Sequence, residues 1–235
     1  MYASFFKRLL DALLAFVALL VLSPILLLLI LAGALAFRGK PFFLQPRPGR
    51  GEKIFYMLKF RSMTDKRDAS GKLLPDGERL TRYGAFLRAT SLDELPELFN
   101  ILKGDMSIVG PRPLLVRDMV FMSEEIRRRH TVRPGLTGLA QANGRNAMRW
   151  EDRFAHDLRY ISRITLWGDI KIIFKTVLAV LRREGISEEG MATTADYGDY
   201  LLWRGDIDAA TYEKKQQEAR DILEKRQHAD PKTDA

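Results

Sequence analysis

Hydrophobic and polar positions change period several times along the chain, and each change predicts a different kind of element. Leu9 to Phe37 is almost wholly apolar, interrupted by Asp11, Ser23, Pro24 and Gly33. As one helix its 29 residues would reach roughly 43 Å, against a hydrocarbon core of about 30 Å. That is too long for a simple perpendicular span. It is also too long for a signal-peptide core, and no small-residue cleavage site follows a short apolar run. Pro41 to Met63 then alternates in short apolar runs, PFFLQ and IFYMLKFRSM, around PRPGRGEK, which predicts a β-hairpin with a Pro/Gly-rich loop. Thr64–Thr81 is polar and turn-rich and predicts a mobile surface loop. The spacing predicts helices over Arg82–Ala89, Leu114–His130 and Trp150–Ile161, and irregular backbone over the glycine-bearing RPGLTGLAQANGRN. Trp167–Arg183 is amphipathic, with Ile170, Ile173, Phe174, Val177 and Leu181 opposite Lys171, Lys175 and Arg182. That pattern suits a helix in the membrane interface and equally one packed on a core. Thr211–Ala235 predicts a charged helix and a frayed tail. The sum is a mainly α chain with a small β-hairpin.

The topology of the apolar segment has two readings. Lys7-Arg8 precede it and Arg38-Lys40 follow it, so the flanking charge gives no asymmetry between sides. Ser23-Pro24 lies near its middle, where proline removes a backbone donor and crowds the preceding turn. A nearby hydroxyl can compensate such a break in lipid. One reading is an ordinary tilted transmembrane helix with a mild kink. The other is a helix bent at Ser23-Pro24 that returns to the face it entered.

Composition narrows the partners. The chain has 235 residues, enough for one sizeable domain with appendages, and a formal net charge of +8, which calls for an acidic partner. Nucleic acid, anionic head groups and nucleotide-sugar phosphates would all serve, but no nucleic-acid motif or aromatic-basic interleaving appears, so no nucleic-acid partner is expected. The absence of cysteine excludes disulfides and thiolate zinc sites, and His130, His156 and His228 lack ligand spacing.

The candidate chemistry lies in TSLDELPELFNILKGDMSIVGPRP, Thr90–Pro113. Ser91 to Glu94 matches a capping box ahead of apolar positions at helical spacing, so Glu94 has a purely structural reading. Pro96 complicates it, since proline also marks a first helical position. Either way Asp93 falls near a helix start, where the dipole favours a carboxylate anion. An ionised, positioned aspartate can attack phosphorus to give an acyl phosphate, and a carboxylate pair can hold Mg²⁺ against a diphosphate. Lys59, Arg61, Arg88, Arg112 and Arg145 lie in or beside apolar or turn segments and are candidate phosphate binders. The bland alternative for Arg112 is a pair with a carboxylate such as Asp105, and for Asp157 a salt bridge to Arg153 or Arg159. Arg127-Arg128-Arg129 reads as generic surface electrostatics.

KFRSM (59–63), SLDELPELFNILKGDMSIVGPRP (91–113) and RPGLTGLAQANGRN (133–146), in that order, strongly resemble the bacterial sugar transferase family, the monotopic phosphoglycosyl transferases that prime glycan assembly on polyprenyl phosphate. The resemblance runs to about Thr194 and takes in ISEEGMATT (186–194). It implies transfer of a sugar-1-phosphate from a UDP-sugar to undecaprenyl phosphate with release of UMP, by a ping-pong route in which Asp93 attacks the β-phosphate. It further implies a Mg²⁺ requirement, with Asp93 and Glu94 as the metal-holding dyad, and places Lys59, Arg88, Arg112, Arg145 and Asp157 in the active site. By the same resemblance the apolar helix is re-entrant, broken at Ser23 and Pro24, and holds the site at the cytoplasmic face of the bacterial inner membrane. The implied organisation is a membrane helix over 1–38, a catalytic domain with interfacial amphipathic helices over 39–195, and an extension of open role over 196–235. The partners are then the UDP-sugar donor, undecaprenyl phosphate and the phospholipid bilayer, with the chain a monomer or homodimer. The competing readings are a membrane-anchored binding protein and an inactive scaffold.

Overall fold

The apolar segment forms one helix, α1 (Lys7–Ala36), which stays continuous through Pro24 in the computed structural model. The structure describes residues 2–144, 148–182 and 196–229. Pro24 has no N–H to offer the Leu20 carbonyl four residues back, and the Ser23 hydroxyl donates to that carbonyl instead at 2.8 Å. The expected break into two segments is therefore corrected: the serine satisfies the acceptor that the proline orphans, and the helix runs on.

The sequence of α1 has two faces with different partners. Ala15, with Ala18, Leu19 and Leu22, packs on Phe55, Met57, Leu98 and Ile101; Leu26 and Leu29 pack on Phe60 and Leu87. Polar anchors hold the helix start: Lys7 Nζ donates to Asp169 Oδ2 at 2.7 Å, and Asp11 Oδ2 accepts from the Ser107 hydroxyl at 2.6 Å. At the far end the Tyr83 hydroxyl donates to the Leu29 carbonyl at 2.8 Å. Asp11, an interruption in an apolar sequence, is thus a docking residue. The opposite face keeps Val21, Leu28 and Leu35, spaced by sevens, 70%, 66% and 86% exposed. α1 therefore docks along nearly its whole length on one body and presents an apolar face outward.

The predicted hairpin is present. β1 (Phe42–Pro48) pairs antiparallel with β2 (Ile54–Phe60), with Phe43 opposite Lys59, and the first strand runs on through residues read as loop. The stretch after it folds back on itself, with isolated bridges Met63–Leu80 and Arg67–Leu73 and a short helix α2 (Asp76–Arg79), where a surface loop was expected. α3 (Arg82–Ala89) and α4 (Glu97–Lys103) flank the dyad. Asn100 locks α4 to β2 by acting as a substitute strand edge: its Oδ1 accepts from Leu58 N at 2.9 Å and its Nδ2 donates to the Tyr56 carbonyl at 2.8 Å. Gly104, at φ 104°, ends α4 in the left-handed conformation.

The periodicity missed a parallel pair, β3 (Ser107–Val109) with β4 (Gly135–Thr137). Three-residue strands carry too few alternations to show a period. The expected helix over Leu114–His130 is two short helices, α5 (Val116–Met119) and α6 (Glu124–Arg127), with a tight turn over Arg128–Thr131. The glycine-bearing stretch expected to be irregular holds β4 and α7 (Leu139–Gly144). α8 (Trp150–Ser162) and α9 (Leu166–Leu181) match their patterns. On α9, Ile172 is buried and Ile173 packs beside it, while Trp167, Ile170, Phe174 and Val177 are exposed, so part of its apolar stripe faces outward.

The C-terminal extension forms α10 (Tyr197–Arg204) and α11 (Ala209–Ala229). It docks on α5: Ala219, Ile222 and Leu223 meet Val116, Met119 and Val120. Buried Asp118 bridges the two parts, its Oδ1 accepting from Tyr197 N at 2.9 Å and its Oδ2 from Leu115 N at 3.0 Å. Asp118→Ala strips two part-buried N–H groups of their acceptor and is expected to cost about 1–3 kcal/mol in denaturant unfolding of the detergent-solubilised chain. An unchanged midpoint would argue against this docking.

Candidate active site

The dyad sits where α3 stops and α4 has not begun. Ser91 adopts φ 55°, ψ 19°, a left-handed conformation that a non-glycine residue rarely takes. Its N–H bonds the Arg88 carbonyl at 3.2 Å, so Ser91 closes α3. Its side chain caps no helix, and the expected capping box is not formed. Leu92–Glu94 is a single tight turn, and Pro96 precedes the first turn of α4. Glu94 is thereby released from capping.

What Glu94 does instead is electrostatic. Its Oε1 accepts from Lys59 Nζ at 2.8 Å and from Arg112 Nη2 at 2.8 Å. Burial opposes ionisation of Glu94, but Arg112 and Lys59 together outweigh it and hold the carboxyl well below the usual carboxylate range. Arg112 gains in turn, its guanidinium held protonated chiefly by Glu94. Lys59 resists the loss of charge that burial favours because Glu94 and Glu97 surround it. The bland alternative for Arg112, a pair with Asp105, does not form; Asp105 meets Lys103 instead.

Asp93 behaves differently. No hydrogen bond or ion pair engages its carboxylate among the described residues. Burial first, and then the adjacent Glu94 anion, push its pKa up; Lys59, Arg88 and Arg112 pull the other way. The helix start was expected to favour the anion, and this is corrected: desolvation outweighs a dipole that a short tight turn barely supplies. Arg88 reaches toward the site from α3, its Nε donating to the Ser62 hydroxyl at 3.1 Å, with no carboxylate partner among the described residues. That contact depends on Gly84, where a Cβ would lie 1.9 Å from the Ser62 carbonyl oxygen. Arg61, by contrast, pairs with Asp65.

Asp157 lies one layer back. It is 1% exposed, and its Oδ2 accepts from Arg129 Nε at 2.9 Å and Nη2 at 2.7 Å. Arg129, 2% exposed, donates from Nη2 to the Arg112 carbonyl at 2.7 Å. The bland alternative for Asp157, a salt bridge to Arg153 or Arg159, is not the pairing formed, and Arg129, read as surface charge, is corrected to a buried partner. One arginine of the triple run faces inward and steers Arg112 through its backbone. Arg145 lies outside the described residues.

The sequence reading missed Glu97, which is 3% exposed and lies 3.1 Å from Lys59 Nζ. The signal was present: Asp93 and Glu97 are four apart, across the proline. It also missed Arg47, whose Nη1 donates to the Pro113 carbonyl at 3.2 Å and whose pKa burial and Arg112 push down to about 10. Arg47, Lys59, Glu97 and Arg112 line a cavity of about 20 Å³, room for one water. Burial, with repulsion from Glu94, pushes Glu97 up to about 7 from 4.5, against the pull of Lys59. A folded value above the unfolded one favours the neutral acid in the folded chain. Its stabilisation is complete below about pH 4.5 and is lost as pH rises through about 7. Glu97→Gln should flatten this fall, which amounts to roughly 3 kcal/mol, in unfolding midpoints measured from pH 5 to pH 8. A slope identical to wild type would reject the assignment.

The donor set for a divalent cation was tested on the same geometry. No group of three or more His, Cys, Asp or Glu that could hold a metal is present among the described residues, so these offer no closed cage. Mg²⁺ commonly uses one or two carboxylates and completes its shell with water and substrate phosphate. Unpartnered Asp93 and the Glu94 oxygen not taken by Lys59 and Arg112 fit that pattern.

An unpartnered carboxylate ringed by cations, on a body with exposed apolar faces, is an arrangement suited to binding phosphate groups. Comparison with known proteins narrows that reading. Residues 2–183 match the family description "Bacterial sugar transferase", and the chain belongs to that family. It is 47% identical over 187 residues to an uncharacterised sugar transferase, EpsL, of Bacillus subtilis, covering 80% of this chain and 93% of that one. It is 42% identical over 186 residues to a UDP-glucose:undecaprenyl-phosphate glucose-1-phosphate transferase of Xanthomonas campestris, covering 74% of this chain and 38% of that one. An undecaprenyl-phosphate galactose phosphotransferase of Salmonella typhimurium is 37% identical over 198 residues, covering 77% and 41% respectively. The chain thus spans about two fifths of the length of these last two relatives.

Proposed function

We propose that the protein transfers a sugar-1-phosphate from a UDP-sugar to undecaprenyl phosphate, releasing UMP, by a ping-pong route through Asp93. The observation that carries this reading is the contrast within the dyad: Glu94 is saturated by Lys59 and Arg112, while Asp93, its neighbour, has no partner. In the first step an Asp93 carboxylate oxygen bonds to the β-phosphorus, the bond from that phosphorus to the bridging oxygen breaks, and UMP leaves with the oxygen. In the second, an oxygen of undecaprenyl phosphate bonds to the same phosphorus and the acyl-phosphate bond breaks, restoring Asp93. Arg88, which lacks a carboxylate partner, and the part-exposed Arg112 bind phosphate oxygens. Lys59 and Glu97 hold Glu94 and Arg112 in place. Bound Mg²⁺, on Asp93 and Glu94, would supply neutralisation of diphosphate charge.

The membrane arrangement belongs to the same reading. α1 is long and apolar enough to cross a membrane, yet it is docked at both ends and along its middle on one body. Such a helix cannot leave the domain to cross the bilayer alone. The exposed faces of α1 and α9 favour a chain that dips into one leaflet, with both basic flanks of α1 on the cytoplasmic side of the bacterial inner membrane.

The test is UMP release by detergent-solubilised chain across a panel of UDP-sugars, with and without undecaprenyl phosphate and Mg²⁺. Sustained release with one donor, requiring both, is expected. No release with any UDP-sugar would overturn the reading.

A further inference from the structure

Away from the dyad, the start of α1 and the residues just ahead of it meet the hairpin loop and Arg133, two residues before β4, around a cavity of about 340 Å³. Its lining mixes two chemistries: the cations Arg8, Arg50 and Arg133 and the apolar Phe5, Leu9 and Ala12. Arg8 gives one bond to the Ile101 carbonyl at 2.6 Å and one to the Leu102 carbonyl at 2.8 Å, and Arg133 Nε donates to the Gly104 carbonyl at 2.8 Å. These bonds fix both side chains against the end of α4 and leave further N–H groups of each guanidinium free of any carboxylate. Nearby anions are committed elsewhere: Asp11 to Lys7 and Ser107, and Glu52 to Arg127. Among the described residues, no carboxylate forms an ion pair with Arg8, Arg50 or Arg133. Burial, then Arg8 and Arg50, push the Arg133 pKa down, as expected of like charges gathered without a counterion.

Three guanidinium groups around one cavity, two of them fixed by backbone carbonyls, call for a multiply hydrogen-bonding anion. The apolar part of the lining says where it comes from. Phe5 and Leu9 are 66% and 57% exposed and continue along α1 into Leu13, 55% exposed, all part of the outward apolar face. We propose that this cavity binds the phosphate of a bilayer phospholipid, the arginines holding the head group and the Phe5–Leu9 wall lying along its acyl chains. The site shares no lining residue with the dyad. It rests on the membrane reading above but not on the transfer chemistry. Its consequence is orientation: a head-group clamp at the start of α1 sets how deep that end of the body sits.

The test uses full-length protein in detergent and counts bound lipid by native mass spectrometry. The probes are dioleoyl phosphatidylglycerol, dioleoylglycerol (the same chains without phosphate), undecaprenyl phosphate and inorganic phosphate. Retention of one phosphatidylglycerol per chain is expected, with no retention of dioleoylglycerol. R50E and R50Q alter an exposed loop side chain outside the dyad and are expected to lower that retention by at least roughly tenfold while leaving UMP release unchanged. Equal retention of dioleoylglycerol, or undiminished retention in both variants, would overturn the proposal. So would displacement by millimolar inorganic phosphate, which would make this a free-phosphate site, or preference for undecaprenyl phosphate, which would make it an acceptor site. Because retention is read without turnover, its failure leaves a positive UMP-release result standing, and the converse also holds.

Discussion

Asp93→Asn is expected to lower UMP release by at least about a thousandfold, because the amide keeps the shape of the side chain and removes the nucleophile. The same variant should unfold no more easily than wild type, and it stands to gain. Asp93 has no hydrogen-bond or ion-pair partner among the described residues, and burial and Glu94 raise its pKa, so its anion is a cost to the folded chain. A neutral isostere removes that cost. Lost turnover with retained stability is the signature of a group held for chemistry rather than for folding. Since the pKa is shifted upward, the rate of the first step should climb with pH as Asp93 ionises. Intact-mass measurement after mixing wild type with the donor should show a phosphosugar adduct that Asp93→Asn lacks. Turnover by Asp93→Asn within tenfold of wild type would sink the nucleophile assignment.

The second large effect is expected at a residue that touches no substrate. Asp157→Asn leaves the Arg129 guanidinium, 2% exposed, without a counterion, at a cost of about 3–5 kcal/mol. For a chain of this size that lowers Tm by roughly 10 °C. The loss should also reach activity, because Arg129 holds the Arg112 carbonyl, and Arg112 faces the phosphates; a raised KM for the donor is the specific sign. Burial raises the Asp157 pKa even with Arg129 attached, and desolvating two charges offsets much of what a buried pair gains. It follows that replacing both partners with apolar residues (Arg129→Met with Asp157→Leu) should recover most of the stability and none of the KM. Thermal unfolding and donor titration of the single and double variants separate the two roles. A single variant within 1 kcal/mol of wild type would mean that the pair does not hold this layer together.

How far these residues were legible depends on the range of the interactions that place them. The dyad, the hairpin, α3, α8 and α9 were visible because periodicity and turn chemistry are local. Ser91 was misread for the same reason: three residues ahead of Glu94 it satisfies a capping pattern, but its φ of 55° follows from how α3 ends before α4 docks on β2. Arg129 could not be told from Arg127 and Arg128 in a run of three, since facing is decided by the turn Arg128–Thr131. Glu97 looked like an ordinary first-turn acid. The amphipathic helix α9 was legible as amphipathic but ambiguous in partner; Ile172 and Ile173 pack on the core while Ile170, Phe174 and Val177 stay exposed.

From the residue order alone came the family, the apolar helix with its Ser-Pro pair, the carboxylate dyad and the cations around it, all carried by neighbours within a few positions. The fold assigned the unequal duties. Glu94 became the acceptor of Lys59 and Arg112, Asp93 was left without a partner, Asp157 and Arg129 became the support behind Arg112, and α1 became a helix docked end to end. Each of these depends on which charges share a desolvated space. In that space an ion pair or its absence shifts a carboxylate by far more than any local propensity does, and only residues distant in sequence can provide the partner.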